Sequence, residues 1–201
     1  MRVVAIIQAR MGSSRFPGKV LAKIDNRPLL EILISRVKMS EFIDKIVVAT
    51  TTEVADDVLC DWLNVNGVEY FRGSEGDVLD RFWRCAKLFS ADIIVRITAD
   101  DPLKDPGVID DIVDVIQRSD SIDYVSNTLK PSYPEGLDVE VFRFLALDTA
   151  YCDATLESER EHVTPYIWKN PEKFELHNEA LSNKLTESLS FELSKNNFGD
   201  H

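Results

Sequence analysis

Between Gln8 and Leu21 the chain reads QARMGSSRFPGKVL, a run that gathers phosphate-binding chemistry into one loop. Arg10, Arg15 and Lys19 bring positive charge, and an arginine can grip two phosphate oxygens at once. Ser13 and Ser14 add hydroxyl donors. Gly12 and Gly18 free the backbone to turn its N–H groups toward an anion, and Pro17 stiffens the segment. The spacing is not that of a Walker-type P-loop: Gly12 and Gly18 stand too far apart, and Val20 rather than a hydroxyl residue follows Lys19. A second candidate is the acidic pair Asp100-Asp101 in TADDP. Hard carboxylate oxygens suit Mg²⁺, which takes one or two carboxylates together with phosphate oxygens and water.

The charge distribution supports a site for a small polyanion. The chain has 201 residues and a net charge of −12, yet residues 1–24 hold Arg2, Arg10, Arg15, Lys19 and Lys23 and no acid. An acidic protein of this kind lacks the basic footprint of a nucleic-acid binder. No apolar run approaches the length of a membrane span, and Val3–Ile7 reads as a core strand rather than a signal peptide. Cys60, Cys85 and Cys152 form no CxxC pair and read as free thiols, Cys60 and Cys85 as buried filler, so a cytoplasmic setting is expected.

These residues need a scaffold, and the pattern supplies one. Strand signals at 3–9, 45–50, 68–71, 92–98, 123–126 and 137–142 alternate with helical periodicity. The helices are predicted at 28–38, 53–63, 76–89, 108–117, 143–152 and 158–168. In the second, Val54, Val58, Leu59 and Trp62 stand at helical spacing. Such alternation predicts an α/β fold with a mostly parallel sheet covered on both faces. Ligands then bind beyond the carboxyl ends of the strands, at the loops 10–19, 50–53 and 99–105. No repeat or linker divides the chain, so one domain is expected over 1–177, followed by a divergent tail at 178–201.

The segment ARMGSSRFPGK resembles the signature ARxxSxRxPxK of sugar-activating cytidylyltransferases, the group of the CMP-KDO and CMP-sialic acid synthetases. Further pieces, VVATTTEVADD, FRGSEGDVLDRF, DIIVRITADDPLKDP, DYVSNT, YPEGLDVEVF and EREHVTPYI, are similar to the spore coat polysaccharide biosynthesis protein F family. The resemblance covers most of residues 1–175. It implies a three-layer nucleotide-diphospho-sugar transferase fold with a Rossmann-like mixed sheet. It also implies transfer of CMP from CTP to a small sugar, with Mg²⁺ as cofactor and pyrophosphate released, in polysaccharide or cell-surface glycan synthesis.

By the same resemblance, Arg10, Arg15 and Lys19 hold the β and γ phosphates, with Ala9 and the N–H groups of Gly12, Ser13 and Ser14 around them. Asp100 binds Mg²⁺. Thr50, Thr51, Gly73, Ser74 and Asp77 surround the base, although capping and turn roles suit Ser74 and Asp77 as well. Asn127, Glu135, Asp138, Glu159, Arg160 and His162 form the sugar side. Asp138 and Glu140 alternate with apolar residues and so share one side of a strand, where Asp138 would assist the metal or the sugar hydroxyl. Tyr166, Ile167 and Trp168 either pack the last helix down or support a homodimer, a common state in the group.

Two departures stand out. The group's usual Gly-Asp-Cys-Pro is Ala99-Asp100-Asp101-Pro102 here, and the tail lacks the Asp-x-Pro-Glu-Asp-Leu run whose first aspartate helps bind the metal. A glycosyltransferase of the same fold and a non-catalytic nucleotide or sugar binder are the alternative readings, although Asp100-Asp101-Pro102 is not the Asp-x-Asp motif expected of the former.

Overall fold

Val3–Gln8 carries apolar side chains on both sides of the chain and forms β1, the strand at the centre of the sheet. Val3, Ala5 and Ile7 face one layer of helices and Val4 and Ile6 the other, all fully buried. The computed structural model describes residues 1–12 and 16–181. The expectations for Ser13, Ser14 and Arg15, and for the tail beyond Leu181, fall outside the described residues.

After β1 come a short hairpin of β2 (Lys23–Ile24) and β3 (Arg27–Pro28), α1 (Leu29–Val37), β4 (Lys45–Thr51), α2 (Asp57–Val65), β5 (Tyr70–Gly73) and α3 (Val78–Leu88). The second half adds β6 (Ile93–Thr98), α4 (Pro106–Arg118), β7 (Tyr124–Ser126), β8 (Glu140–Arg143), α5 (Phe144–Asp153), α6 (Glu157–His162), α7 (Pro165–Trp168) and β9 (Leu176–Asn178). The main sheet has seven strands in the order β5-β4-β1-β6-β8-β7-β9. β8 is antiparallel to β6 and β7, and the other pairings are parallel. Helices α1, α2 and α4 cover one face and α3, α5 and α7 the other, which gives the expected three layers.

From β1 the chain steps outward to β4 and β5, then returns to lay β6 against the other flank of β1. The switch point therefore lies between β1 and β6. Loops leaving their carboxyl ends open side by side there, the usual place for a ligand in such sheets.

Four local readings are corrected. The helix expected from Glu53 starts as a 3-10 turn at Val54–Asp56, which shifts the buried face of α2 to Leu59, Cys60 and Leu63; Val54 and Val58 are exposed. The helix expected over 158–168 is broken into α6 and α7 by Pro165, which cannot continue a helical ladder, and by Val163 at a φ of 70°. Pro28 closes the β2–β3 hairpin before α1 begins; its turn residues Asp25 and Asn26 both have positive φ, as a tight hairpin turn requires. The strand expected over 137–142 is paired only at Glu140–Arg143. The cysteines are free, and burial pushes the Cys85 thiol up to about 12, as suits packing rather than reactivity. No helix among the described residues is long and apolar enough to cross a membrane.

Candidate active site

The loop after β1 is closed by a hydrogen bond from the Gly18 N–H to the Met11 carbonyl at 2.9 Å. Gly18 makes this closure with a φ of 74°, a conformation that costs a side-chain-bearing residue dearly, whereas Gly12 has no positive φ. The near end of the loop is fixed by Asp56, only 2% exposed. Its carboxylate accepts from the Met11 N–H at 2.6 Å, the Thr51 N–H at 3.1 Å, the Thr50 hydroxyl at 3.0 Å and the Thr51 hydroxyl. Burial pushes the Asp56 carboxyl up, but these donors outweigh it and hold the pKa below the ordinary aspartate value. Thr50 and Thr51 are themselves buried, so their hydroxyls position the loop through Asp56. Asp56→Asn is expected to cost about 1–2 kcal/mol in denaturant unfolding at pH 7, because an amide cannot serve every donor. The cost should vanish as pH falls through the depressed pKa of the wild-type carboxyl, since both proteins then present a neutral group. An unchanged unfolding midpoint at pH 7 would refute the clamp.

Lys19 opens a short 3-10 turn, Lys19–Leu21, that returns the loop to the sheet. Its ammonium stands 3.8 Å from the Asp100 carboxylate, just beyond β6. Burial raises the Asp100 pKa, but hydrogen bonds from Thr98 and from its own backbone, with Lys19 and Lys104 nearby, carry it below the ordinary value. Lys19, Asp100, Arg10, Gly12 and Ala9 line a cavity of about 660 Å³ across the switch point.

A second cavity of about 650 Å³ shares Gln8, Arg10 and Asp100 with the first and runs toward α3 and α6. Arg10 lies 3.1 Å from Glu75 across it. The β5–α3 loop that forms its wall is tightly organised. The Ser74 hydroxyl accepts from the Asp77 N–H at 3.0 Å, and Asp77 caps α3 by accepting from the Asp80 N–H at 2.9 Å. Asp77 also takes a forked grip from Arg160, whose Nη2 is 2.6 Å from Oδ2, so this pair joins α3 to α6. Glu159 is buried and accepts from the Leu156 N–H at 3.3 Å, capping α6. Asp77, Glu159 and Arg160 thus build the wall.

The third cavity, about 390 Å³, lies on the other side of Asp100 and meets the first at Thr98. Its floor is an ion pair: Arg96 and Glu140 are direct partners across β6 and β8, with side chains 16% and 14% exposed. Glu140 also accepts from the hydroxyls of Tyr124 and Thr164, each at 2.7 Å. Lys104, 2% exposed, donates to the Asp138 carbonyl at 2.6 Å and pairs with Asp101 at 3.2 Å. The Asp138 carboxylate is exposed in this cavity, and His162 lines both this one and the second. Asn127 is buried beneath, bonding the Leu137 carbonyl and the Val139 N–H. Glu135 is exposed and lines none of the three cavities. Tyr166 and Ile167 pack inward, while Trp168 lines the third cavity. Between His162 and Thr164, the buried Val163 takes φ 70° and ψ −58°, and the Thr164 N–H reaches back to the His162 carbonyl at 2.9 Å. This is a γ-turn of the strained hand, holding both neighbours at the cavity.

A profile of the cytidylyltransferase family matches residues 4–197. The chain belongs to this family. An uncharacterised protein of Methanocaldococcus jannaschii is 46% identical over 176 residues, spanning 88% of this chain and 71% of that protein. Spore coat polysaccharide biosynthesis protein SpsF of Bacillus subtilis is 37% identical over 175 residues, spanning 84% of this chain and 71% of that one. A cytidylyltransferase structure from Leptospira borgpetersenii superposes with a TM-score of 0.86 at 37% identity, over 90% of this chain and 77% of the other. For this cytidylyltransferase the sequence reading passed over Gln8, Glu75, Arg81, Arg96, Lys104 and Thr164, which line the cavities. Only Arg96 carried a signal, as a lone charge inside the apolar strand DIIVRIT.

Proposed function

We propose that the chain transfers the cytidylyl group of CTP to a small sugar with release of pyrophosphate, in polysaccharide or cell-surface glycan synthesis. The meeting of Lys19 and Asp100 across the β1–β6 switch point carries this reading. The triphosphate lies in the first cavity, where Arg10 and Lys19 neutralise the β and γ oxygens. The sugar enters the third cavity, where the Asp138 carboxylate takes the hydrogen bond of the attacking hydroxyl and His162 and Thr164 orient the ring. Attack at the α-phosphorus in line with the departing pyrophosphate then needs mainly positioning and fixed charge.

Among the described residues no group of three or more His, Cys, Asp or Glu could hold a metal unaided. Asp100 would hold Mg²⁺ together with triphosphate oxygens, with Asp138, which lines the neighbouring cavity, as the second candidate carboxylate. When bound, Mg²⁺ would offset the charge that develops on the phosphoryl oxygens.

The test follows pyrophosphate release from each nucleoside triphosphate with Mg²⁺ and a panel of acidic and amino sugars. Release with CTP and a particular sugar is expected; transfer from a preformed nucleotide sugar without pyrophosphate release would point to a glycosyltransferase instead. Lys19→Ala should raise the KM for CTP about 10- to 100-fold. An unchanged KM would remove Lys19 from the triphosphate site.

A further inference from the structure

β8 is paired from Glu140 onward, and the residues before it, Leu137, Asp138 and Val139, have no strand partner. Continuing the register of Arg96 with Glu140 would set Val139 against Ile97 and Asp138 against Thr98. Instead β8 parts from β6 here, and the gap is the third cavity, lined by Thr98, Thr128 and Asp138. Main-chain groups that leave a ladder need other partners where water is excluded, and Val139 is buried.

Buried side chains supply those partners. The Leu137 carbonyl accepts from the Asn127 Nδ2 at 2.9 Å, and the Val139 N–H donates to the Asn127 Oδ1 at 2.9 Å. The Val139 carbonyl accepts from the Ser126 hydroxyl at 3.0 Å, and the Asp138 carbonyl from the Lys104 ammonium at 2.6 Å. Lys104 is the costly member of this set, since an ammonium is buried only where it is paired. Asp101 counters its charge at 3.2 Å, and the Arg36 guanidinium fixes its own carbonyl at 2.6 Å. Its stem spans from the β6–α4 loop to the stretch before β8, so it ties together the two strand ends that have parted.

We infer that Lys104 and Asn127 are positioning residues that fix the direction in which the Asp138 carboxylate enters the third cavity. They hold the main chain on both sides of its Cα, while the carboxylate itself is exposed and forms no ion pair among the described residues. The inference rests on the reading above, in which this carboxylate takes the hydrogen bond of the attacking hydroxyl. On an untethered strand end the carboxylate would wander, and a misplacement of about 1 Å slows such a step about 100-fold.

The experiment is a double-mutant cycle on pyrophosphate release from CTP, using the sugar of the acidic and amino panel that wild type turns over fastest. Lys104→Met, which keeps the stem and loses the ammonium, should lower kcat about 10- to 30-fold with the KM for CTP within about twofold of wild type. Asp138→Asn should lower kcat about 100-fold. The double variant should be no slower than Asp138→Asn, because Lys104 acts only through that carboxylate. A purely structural lysine would instead lower the thermal midpoint and multiply its loss with that of Asp138→Asn. Asn127→Ala removes two bonds from the same stretch without touching a charge, should behave as Lys104→Met does, and carries the test if that variant does not fold. Losses that multiply in the double variant, or a kcat within about threefold of wild type, overturn the positioning role while sparing the reaction. Asp138→Asn as fast as wild type overturns the role of Asp138, and this inference with it, and leaves cytidylyl transfer standing. Wild type without turnover on any sugar of the panel overturns all three.

Discussion

Asp100→Ala is expected to lower kcat/KM for pyrophosphate release about 1000-fold while leaving the fold intact. The two halves of this expectation come from the same geometry. Asp100 lies at the end of β6, where β1 and β6 part, and its carboxylate is ionised because Thr98, its own backbone and the nearby lysines more than offset its burial. It is therefore the fixed negative charge facing Lys19 in the first cavity, the proposed triphosphate site. The ion pair itself does little for stability, since Asp100 is 55% exposed and exposed pairs contribute little. Initial rates across a Mg²⁺ titration, with thermal unfolding in parallel, test both halves. The depressed pKa also fixes the sign of the pH response: the wild-type site keeps its charge throughout the neutral range and loses it only as pH drops below the ordinary aspartate range. A loss smaller than tenfold, or an unaltered Mg²⁺ requirement, would rule Asp100 out as the metal-holding carboxylate.

Glu140→Gln should destabilise the protein by about 3–5 kcal/mol, the cost of leaving a buried arginine without its counter-charge. Glu140 and Arg96 face each other across neighbouring strands with little exposure, and Tyr124 and Thr164 donate to the carboxylate's other oxygen. Burial alone would raise the Glu140 pKa. Arg96 and the hydroxyl donors reverse the direction, so the folded value lies below the ordinary one. Stability from this group is thus fully present above the unfolded carboxyl's pKa and fades as pH falls through the folded one. Chemical denaturation of Glu140→Gln, and of Arg96→Met with Glu140→Leu, separates charge from packing. The double variant should lose less than the single one, because removing both charges leaves nothing unpaired. A single variant within about 1 kcal/mol of wild type would show that the pair is solvated.

The mostly parallel sheet was legible because strand signals alternate with helical periodicity, and β1 stood out as a continuous apolar run buried on both faces. Lys19 and Asp100, which the structure brings within 3.8 Å of each other, stood out in the sequence because unusual residue types sit at strand ends. What escaped detection depends on contacts between distant segments. Nothing local in EREHV announces that Arg160 grips Asp77, that Glu159 caps its own helix, or that Thr50 and Thr51 serve Asp56. The face of α2 was misread because a 3-10 start rotates every later side chain, and 3-10 and α periodicities differ too little over a few residues to separate by eye. Nothing local announces that Lys104 is buried; the Asp138 carbonyl and the Asp101 carboxylate that receive its ammonium come from contacts the sequence does not display.

Val163 ties the third cavity, the proposed sugar site, to residues that do not line it. A β-branched residue keeps a disfavoured turn only while its surroundings permit no other arrangement. Its side chain is fully enclosed, in the cluster formed with Phe142, Leu147 and Ile167. Loosening that cluster would let the corner relax and swing His162 and Thr164 out of alignment. On the proposed sugar site, acceptor selectivity is therefore expected to respond to mutations in the interior beneath the third cavity.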